Sequence, residues 1–443
     1  MTETSTVDSH VSTDRRDSPP TLYDLSRPEI TADPWPWYAR LRALGPVVRD
    51  RATGSWLVTR HADVTAVLAG KARFTVFMDH KARAGQAPAA MRRAFFYLDR
   101  IIAFVDAPDH SRQRSALAGP FTRPNVQDLN HLVTGLVDAA LDRVTASGRL
   151  DVVAELAARI PLQVISHLLG CDQTDDEVDL DTLRRWSAAW GTVVAAPGHI
   201  PAGPSRDRVL ADVDDLIAYL KTLVAAHRAA PREAKPRDTV TSALVRAADA
   251  GVLDEDELVG NLMMLLAAGN ETTTNLISNT VAALIDHPWL PHQLRGQPDL
   301  VPQAVEELAR RDPPNQYTAR IARTDVELHG HRIPAGQSVV LMLAAANRDP
   351  AAFPDPDALK LDRPTTPRHV GFGHGAHYCF GAPLARLETQ QVLARVLTRC
   401  PDLRPTGQRR WRGNPNLRGL AELPVRFGQA ATVVDPATDR KTP

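Results

Sequence analysis

Apolar residues recur at helical spacing along most of this chain. From Pro124 to about Gly170, Val126, Leu129, Leu132, Val133, Leu136 and Val137 fall mostly three or four residues apart, as on a helix packed along one face. The stretch from Asp175 to His227 continues in the same way, interrupted at Pro197, Pro201 and Pro204. The longest uninterrupted candidate runs from Asp254 to His287. Asp254 and Glu257 have the spacing of a capping box, and Pro288 closes the segment. Such a helix would be roughly 50 Å long, enough to cross a whole domain. Ala304 to Arg311 predicts a further helix, stopped by Pro313-Pro314.

Strand signals are short and few. Trp56-Leu57-Val58-Thr59 predicts a strand after the turn at Thr53-Gly54, with a helix following from His61 to Leu68. Val326-Glu327-Leu328 and Ser338 to Leu343 predict strands around the turn at Pro334-Ala335-Gly336, and Leu417 to Phe427 is strand-like. Phe74 to Val105 mixes apolar and basic residues with no clean period. It predicts a long loop carrying one or two short helices, a common form of binding element. No repeat and no Pro- or Gly-rich linker divides the chain. The expected fold is mainly α with a minor β portion, one domain over residues 21–430, with polar tails at 1–20 and 431–443.

Composition narrows the function. The 443 residues are 43% hydrophobic and 23% charged, ordinary for a globular protein large enough to enclose a cofactor. Lys plus Arg, at 52, equals Asp plus Glu, at 52, so charge balance points to neither nucleic acid nor a membrane surface. No run of about 20 apolar residues is present, and the start has no signal-peptide pattern. The three cysteines, Cys171, Cys379 and Cys400, form no disulfide framework or metal-ligand spacing. The expected location is a reducing cytoplasm.

One of those cysteines stands in a distinctive place. Phe372-Gly373-His374-Gly375-Ala376-His377-Tyr378-Cys379-Phe380-Gly381 sets it in a glycine-rich loop just before a helix that begins Ala382-Pro383-Leu384-Ala385-Arg386. Unpaired N–H groups and the positive end of the helix would favour thiolate there. The glycines would let the backbone turn tightly and approach a flat ligand. The middle of the long candidate helix is unusual too. Gly269 and the threonines from Thr272 to Thr274 are poor helix formers, and their hydroxyls can bond back to the preceding turn and bend it. No role follows for Asn270.

The order Phe-Gly-x-Gly-x-His-x-Cys-x-Gly resembles the heme-ligand loop of the cytochrome P-450 family, the heme-thiolate monooxygenases. The resemblance is to the soluble bacterial branch and covers nearly the whole chain after Asp24. It implies the cytochrome P-450 fold, with the long helix lying over heme b and the Cys379 thiolate as axial metal ligand. Phe372 and Gly381 would flank the heme on the sulfur side, and Ala268 and Gly269 on the other. A bend at Gly269 would make room for dioxygen, and Glu271 and Thr272 would form an acid–alcohol proton relay. Asp106 to Arg114 resembles the segment that holds the heme propionates, which implies that role for His110 and Arg114, joined by Arg320 and His377. Glu307 and Arg310 resemble the family's structural pair, with Arg363 as third member, although Ala358 and Leu359 depart from the usual pattern.

Substrate contacts implied by family regions fall in the loop from Phe77 to Phe96, and at Met264, Ala267, Gln316, Thr318, Asn416 and Leu417. The implied activity is oxidation of a small organic substrate in natural-product biosynthesis by a monomer, through hydroxylation or epoxidation. Electrons would come from ferredoxin and an NAD(P)H-dependent ferredoxin reductase, docked near exposed Arg112 and His374. Two alternatives share the motifs at this point: oxidative cyclisation or coupling without oxygen insertion, and heme-based sensing without turnover. The Glu271–Thr272 pair speaks against the sensor and against a peroxide-driven enzyme.

Overall fold

The computed structural model describes residues 19–76, 78, 89–173, 178–195, 203–229 and 239–428. Phe77, Pro197 and Pro201 lie outside the described residues, as do most of the two tails. Helices dominate, and four small sheets supply the β portion among the described residues. The long helix is there: Glu255–Asp286, 32 residues, capped by Asp254. The Asp254 side chain accepts from the Glu257 N–H at 2.7 Å, and the Glu257 carboxylate accepts from the Asp254 N–H at 3.0 Å. Both bonds satisfy donors that a helix start leaves open.

This helix is buried on nearly all sides. It packs against the helices Arg159–Leu169, Leu180–Ala195 and Ala382–Arg399, which share its apolar core. Arg159–Leu169 comes close at Gly269. A methyl group there would sit 2.9 Å from Cγ1 of Ile165, inside normal contact distance. The glycine therefore answers to helix–helix packing. The residues on either side of it remain helical.

The largest sheet has five strands in the order Val47–Arg49, Trp56–Val58, Ser338–Leu341, Thr318–Ala322 and Phe74–Thr75. Trp56–Val58 runs parallel to Ser338–Leu341, and the other pairs are antiparallel. One face buries Val58, Phe74, Ala322, Val339 and Leu341 in a separate apolar cluster. The predicted strand Ser338 to Leu343 ends two residues early, because Leu343–Ala346 closes into a helical turn. Leu417 to Phe427 divides into Leu420–Glu422 and Pro424–Arg426. The predicted helical run from Pro124 contains a strand, Arg149–Asp151, paired with Pro424–Arg426. Three residues are too few for a period to betray them.

A buried carboxylate fixes the segment leading into the cysteine loop. Glu307 on the helix Val301–Arg311 accepts from Arg310 Nε and Nη2 at 2.7 and 2.8 Å, and from Arg363 Nε at 2.7 Å. The backbone N–H of Lys360 adds a bond at 3.0 Å. Arg310 spends its remaining donors on the carbonyls of Asn347 and Pro356, at 2.7 and 3.0 Å. The Asn347 side chain in turn accepts from the N–H of Val370 at 2.7 Å, two residues before Phe372.

Arg112 does not lie free. It donates to both Glu257 oxygens at 2.6 and 2.7 Å, to Asp109 at 2.9 Å and to the Val252 carbonyl at 2.6 Å. It ties the helix Asp109–Ala118 to the start of the long helix, which removes it as a docking cation. Burial raises the Glu257 carboxyl, but bonds from Arg112, the Asp254 N–H and Gln113 outweigh it and hold the group below its ordinary range.

Two stability predictions follow from these contacts. Gly269→Ala gains up to about 1 kcal/mol of helix propensity yet loses about 1–3 kcal/mol to overpacking against Ile165. Chemical unfolding is expected to show a net loss, which should shrink when Gly269→Ala is measured in an Ile165→Ala background, itself destabilised by its cavity; a stabilised single variant would contradict the packing. Arg112→Ala is expected to cost about 1–3 kcal/mol at neutral pH. A depressed carboxylate contributes stability above its unfolded value, about 4.3, and loses it as pH falls through the folded value. The gap in melting temperature between wild type and variant should therefore close below about pH 4. An equal gap at both ends of the range would refute the pairing.

Candidate active site

The cysteine loop is built from backbone bonds. The Cys379 N–H donates to the Phe372 carbonyl at 3.0 Å, Tyr378 N–H to Gly375 at 3.1 Å, and Gly373 N–H to Val370 at 2.9 Å. Gly373 and Gly375 take φ of +74° and +71°, which side-chain-bearing residues rarely adopt. A methyl on Gly375 would also meet the Leu68 carbonyl at 2.9 Å. Gly381 is different. It caps the helix Ala382–Arg399 in ordinary right-handed geometry, so its missing side chain serves mainly to leave the surface beside Cys379 bare.

The N–H groups at the helix start act on the sulfur in the expected direction, against burial. Burial pushes the Cys379 thiol up, opposed by the N–H groups of Gly381 and Ala382 and the charge of Arg386, which do not overcome it. The residue keeps an exposed surface at the end of the loop. The helix terminus alone does not make a thiolate here. A bound metal ion would, since a coordinating thiol is deprotonated outright.

A second ion network supports the loop, and sequence reasoning missed it. Glu306 bonds Arg386 and, at 3.2 Å, His369. Burial raises this carboxyl, but those bonds hold it at about 2. Arg386 also covers the Phe372 ring at 4.4 Å and donates to the Tyr378 hydroxyl at 3.2 Å. The signal was in plain view: Glu306 adjoins Glu307, and Arg386 sits seven residues after Cys379.

His110, Arg114, Arg320 and His377 come together. The His110 and His377 rings lie 4.1 Å apart, and His110 and Arg320 are almost fully buried. Burial, then His110 and Arg320, depress His377 to about 3. Burial also lowers Arg320 to about 10, and burial followed by Arg114 lowers His110. Arg320 donates to the Ala319 carbonyl at 2.7 Å, and no carboxylate pairs with it among the described residues. The one acid nearby, Asp106, is bonded to Thr75 and, at 2.7 Å, to Arg323. A buried guanidinium without a carboxylate partner, beside Arg114 and two imidazoles kept neutral by burial and by those charges, calls for an anionic ligand. Arg114 acts on both this cluster and Cys379, so the two sites adjoin. A bare thiol beside a cation cluster fits heme, which offers an iron and two carboxylates.

Across the middle of the long helix, only Met264, Ala268, Gly269, Glu271 and Thr272 escape full burial. Met264, Ala268, Glu271 and Thr272 share one face, so that face lines open space inside the protein. The Thr272 hydroxyl donates back to the Ala268 carbonyl at 2.8 Å. Glu271 is raised by burial, against which the Arg412 guanidinium, 3.8 Å away, pulls down. Asn270 now has a place: its amide donates to Ser187 at 3.1 Å, joining the long helix to Leu180–Ala195.

The substrate-contact expectations fare unevenly. Gln316 is buried, accepting from the Tyr38 hydroxyl at 2.9 Å and donating to the Pro313 carbonyl at 2.6 Å, so both ends of its amide serve the fold. Asn416 accepts from the Tyr317 N–H at 3.3 Å and its carbonyl from Gln316 N–H at 2.8 Å, again a structural tie. Ala267 and Leu417 are buried. Phe96 is partly buried with Arg100 stacked 3.6 Å over its ring. Met264 and Thr318 keep partly open surfaces.

Comparison with known proteins gives one answer. The family profile described as cytochrome P450 matches residues 55–297 and 290–408. The chain is 37% identical to cytochrome P450 monooxygenase PikC of Streptomyces venezuelae over 93% of this chain and 95% of that protein. It is also 37% identical to mycinamicin IV hydroxylase/epoxidase of Micromonospora griseorubida, over 88% and 94% respectively. The crystal structure of CalO2 superposes with a TM-score of 0.82 at 30% identity, covering 91% of this chain and 98% of that one. No helix among the described residues is long and apolar enough to cross a membrane. With its fold, its motif order and two such relatives in agreement, the chain belongs to the cytochrome P450 family and is a cytochrome P450 monooxygenase.

Proposed function

We propose that this protein binds heme b through Cys379 and oxygenates a small natural product, by hydroxylation or epoxidation, with electrons from ferredoxin and ferredoxin reductase. The observation that carries the reading is the pairing of the Cys379 loop with the cation cluster. One face offers a sulfur flanked by N–H donors, and beside it stand Arg114, buried Arg320 and two imidazoles, with no carboxylate bonded to Arg320 among the described residues. The names of the relatives, a monooxygenase and a hydroxylase/epoxidase, support the reaction class.

In this reading the Gly381 and Ala382 N–H groups favour the thiolate that coordination to the heme iron would complete. His110, Arg114, Arg320 and His377 neutralise the two carboxylates of the heme. Heme, when bound, supplies the one-electron and dioxygen chemistry. The protein's part is to place substrate and manage protons. Met264 and Ala268 present an apolar surface beside Thr272, suited to hold a substrate carbon near it. The Thr272 hydroxyl can turn from the Ala268 carbonyl to pass a proton. Burial keeps Glu271 protonated to higher pH than an exposed glutamate, which suits a group that gives and regains a proton. His374, exposed on the loop, marks the side where an acidic ferredoxin would meet the protein.

The test is turnover with ferredoxin, its reductase and NAD(P)H, screening substrates from mycinamicin IV outward. Product is expected to carry one added oxygen atom; loss of two hydrogens instead would turn the reading to coupling. Thr272→Ala and Glu271→Gln should each slow product formation by on the order of 10²-fold while NAD(P)H is still consumed. Wild-type rates in both variants would refute the relay.

A further inference from the structure

The Glu271 side chain lies in a place that three elements shape together. On one side is the helix Leu180–Ala195, where a methyl on Gly191 would sit 2.8 Å from Glu271 Oε2. The glycine is a notch that admits the carboxyl. On the other side is the hairpin of Arg410–Trp411 and Leu420–Glu422, just past which Arg412 extends Nη1 to 3.8 Å from Glu271 Oε1. That guanidinium is anchored behind: Nε donates to the Leu420 carbonyl at 3.1 Å, and the Arg412 N–H to the Gly419 carbonyl at 3.0 Å. The hairpin reaches this close because Gly419 rests on the long helix at Asn275, one turn beyond Glu271, with no room there for a side chain.

We propose that Arg412 is a positioning residue for the proton relay, which with Gly191 holds the Glu271 carboxyl and governs when it carries a proton. The inference rests on the monooxygenase reading above. At 3.8 Å the pair is too long for a direct hydrogen bond, so the carboxyl is steered by charge yet free to leave. The groups facing it are few. Leu180–Ala195 contributes Gly191, Arg159–Leu169 contributes Ile165 against Gly269, and the hairpin contributes Arg412, the only charged group acting on Glu271 among the described residues. Burial favours the protonated acid and Arg412 the carboxylate, so the balance of the two sets the proton's release.

The experiment follows the Glu271 carboxyl itself, by infrared difference spectra between wild type and Glu271→Gln across a pH series of the ferric heme-loaded protein. Arg412→Gln removes the only charge that lowers the acid. The Glu271 titration should move to higher pH, and Arg412→Lys should restore it in part. An acid that must be protonated to act is lost as pH rises through its pKa, so the alkaline limb of turnover should shift upward with it. In a Glu271→Gln background, Arg412→Gln should leave that limb unmoved. Gly191→Ala, which spares Arg412, should displace the carboxyl and shift its band. If Arg412→Gln lowers only the melting temperature and leaves the Glu271 titration in place, Arg412 is structural and the inference falls. An unshifted Gly191→Ala band would likewise overturn it. Should Glu271→Gln itself turn over at the wild-type rate, the relay reading falls instead, and the role of Arg412 with it.

Discussion

The Glu307 carboxylate is the constraint from which the site is hung. It is nearly inaccessible to solvent and accepts from two guanidinium groups and a backbone N–H. A charge buried so deeply is tolerable only when its acceptor sites are filled. Filling them fixes three parts of the chain: the helix Val301–Arg311, the turn around Asp355 to Arg363, and, through Arg310 and Asn347, the approach to the cysteine loop. Glu306 then holds the loop itself by Arg386 and His369. Two adjacent acids on one helix thus set where Cys379 stands.

The electrostatics of the site form a coherent whole. The cysteine thiol is pushed up by burial, Arg320 is pushed down by burial, His110 by burial and Arg114, and His377 by burial, His110 and Arg320. Each shift disfavours the charge that the group would carry alone. A single ligand with a metal ion for the sulfur and two carboxylates for the cations reverses all of them. On the long helix, Met264, Ala268, Glu271 and Thr272 are the only central residues besides Gly269 that are not fully buried.

Much of this was legible in the sequence because it depends on local spacing. The long helix could be bounded to one residue at each end, since Asp254, Glu257 and Pro288 are short-range signals. His110 and Arg114 share a helix face by their separation alone. What stayed hidden depends on contacts between distant segments. Gly269 stood out as a poor helix former, but the Ile165 side chain that leaves it no room for a methyl lies about a hundred positions earlier. Arg112 looked exposed until Glu257 claimed it. Gln316 and Asn416 looked like pocket residues, yet Tyr38 and Tyr317 take up their amides. Arg412 gave no signal, because only the folded hairpin carries it to Glu271.

The central claim is that Cys379, held at the mouth of the helix Ala382–Arg399, ligates heme iron as a thiolate. The most direct measurement is the carbon-monoxide difference spectrum of the dithionite-reduced protein, in wild type and Cys379→Ser. The account predicts the red-shifted Soret band that gives the family its name in wild type, and its loss in the variant. The same band in Cys379→Ser, or a wild type that takes up no heme, would contradict it.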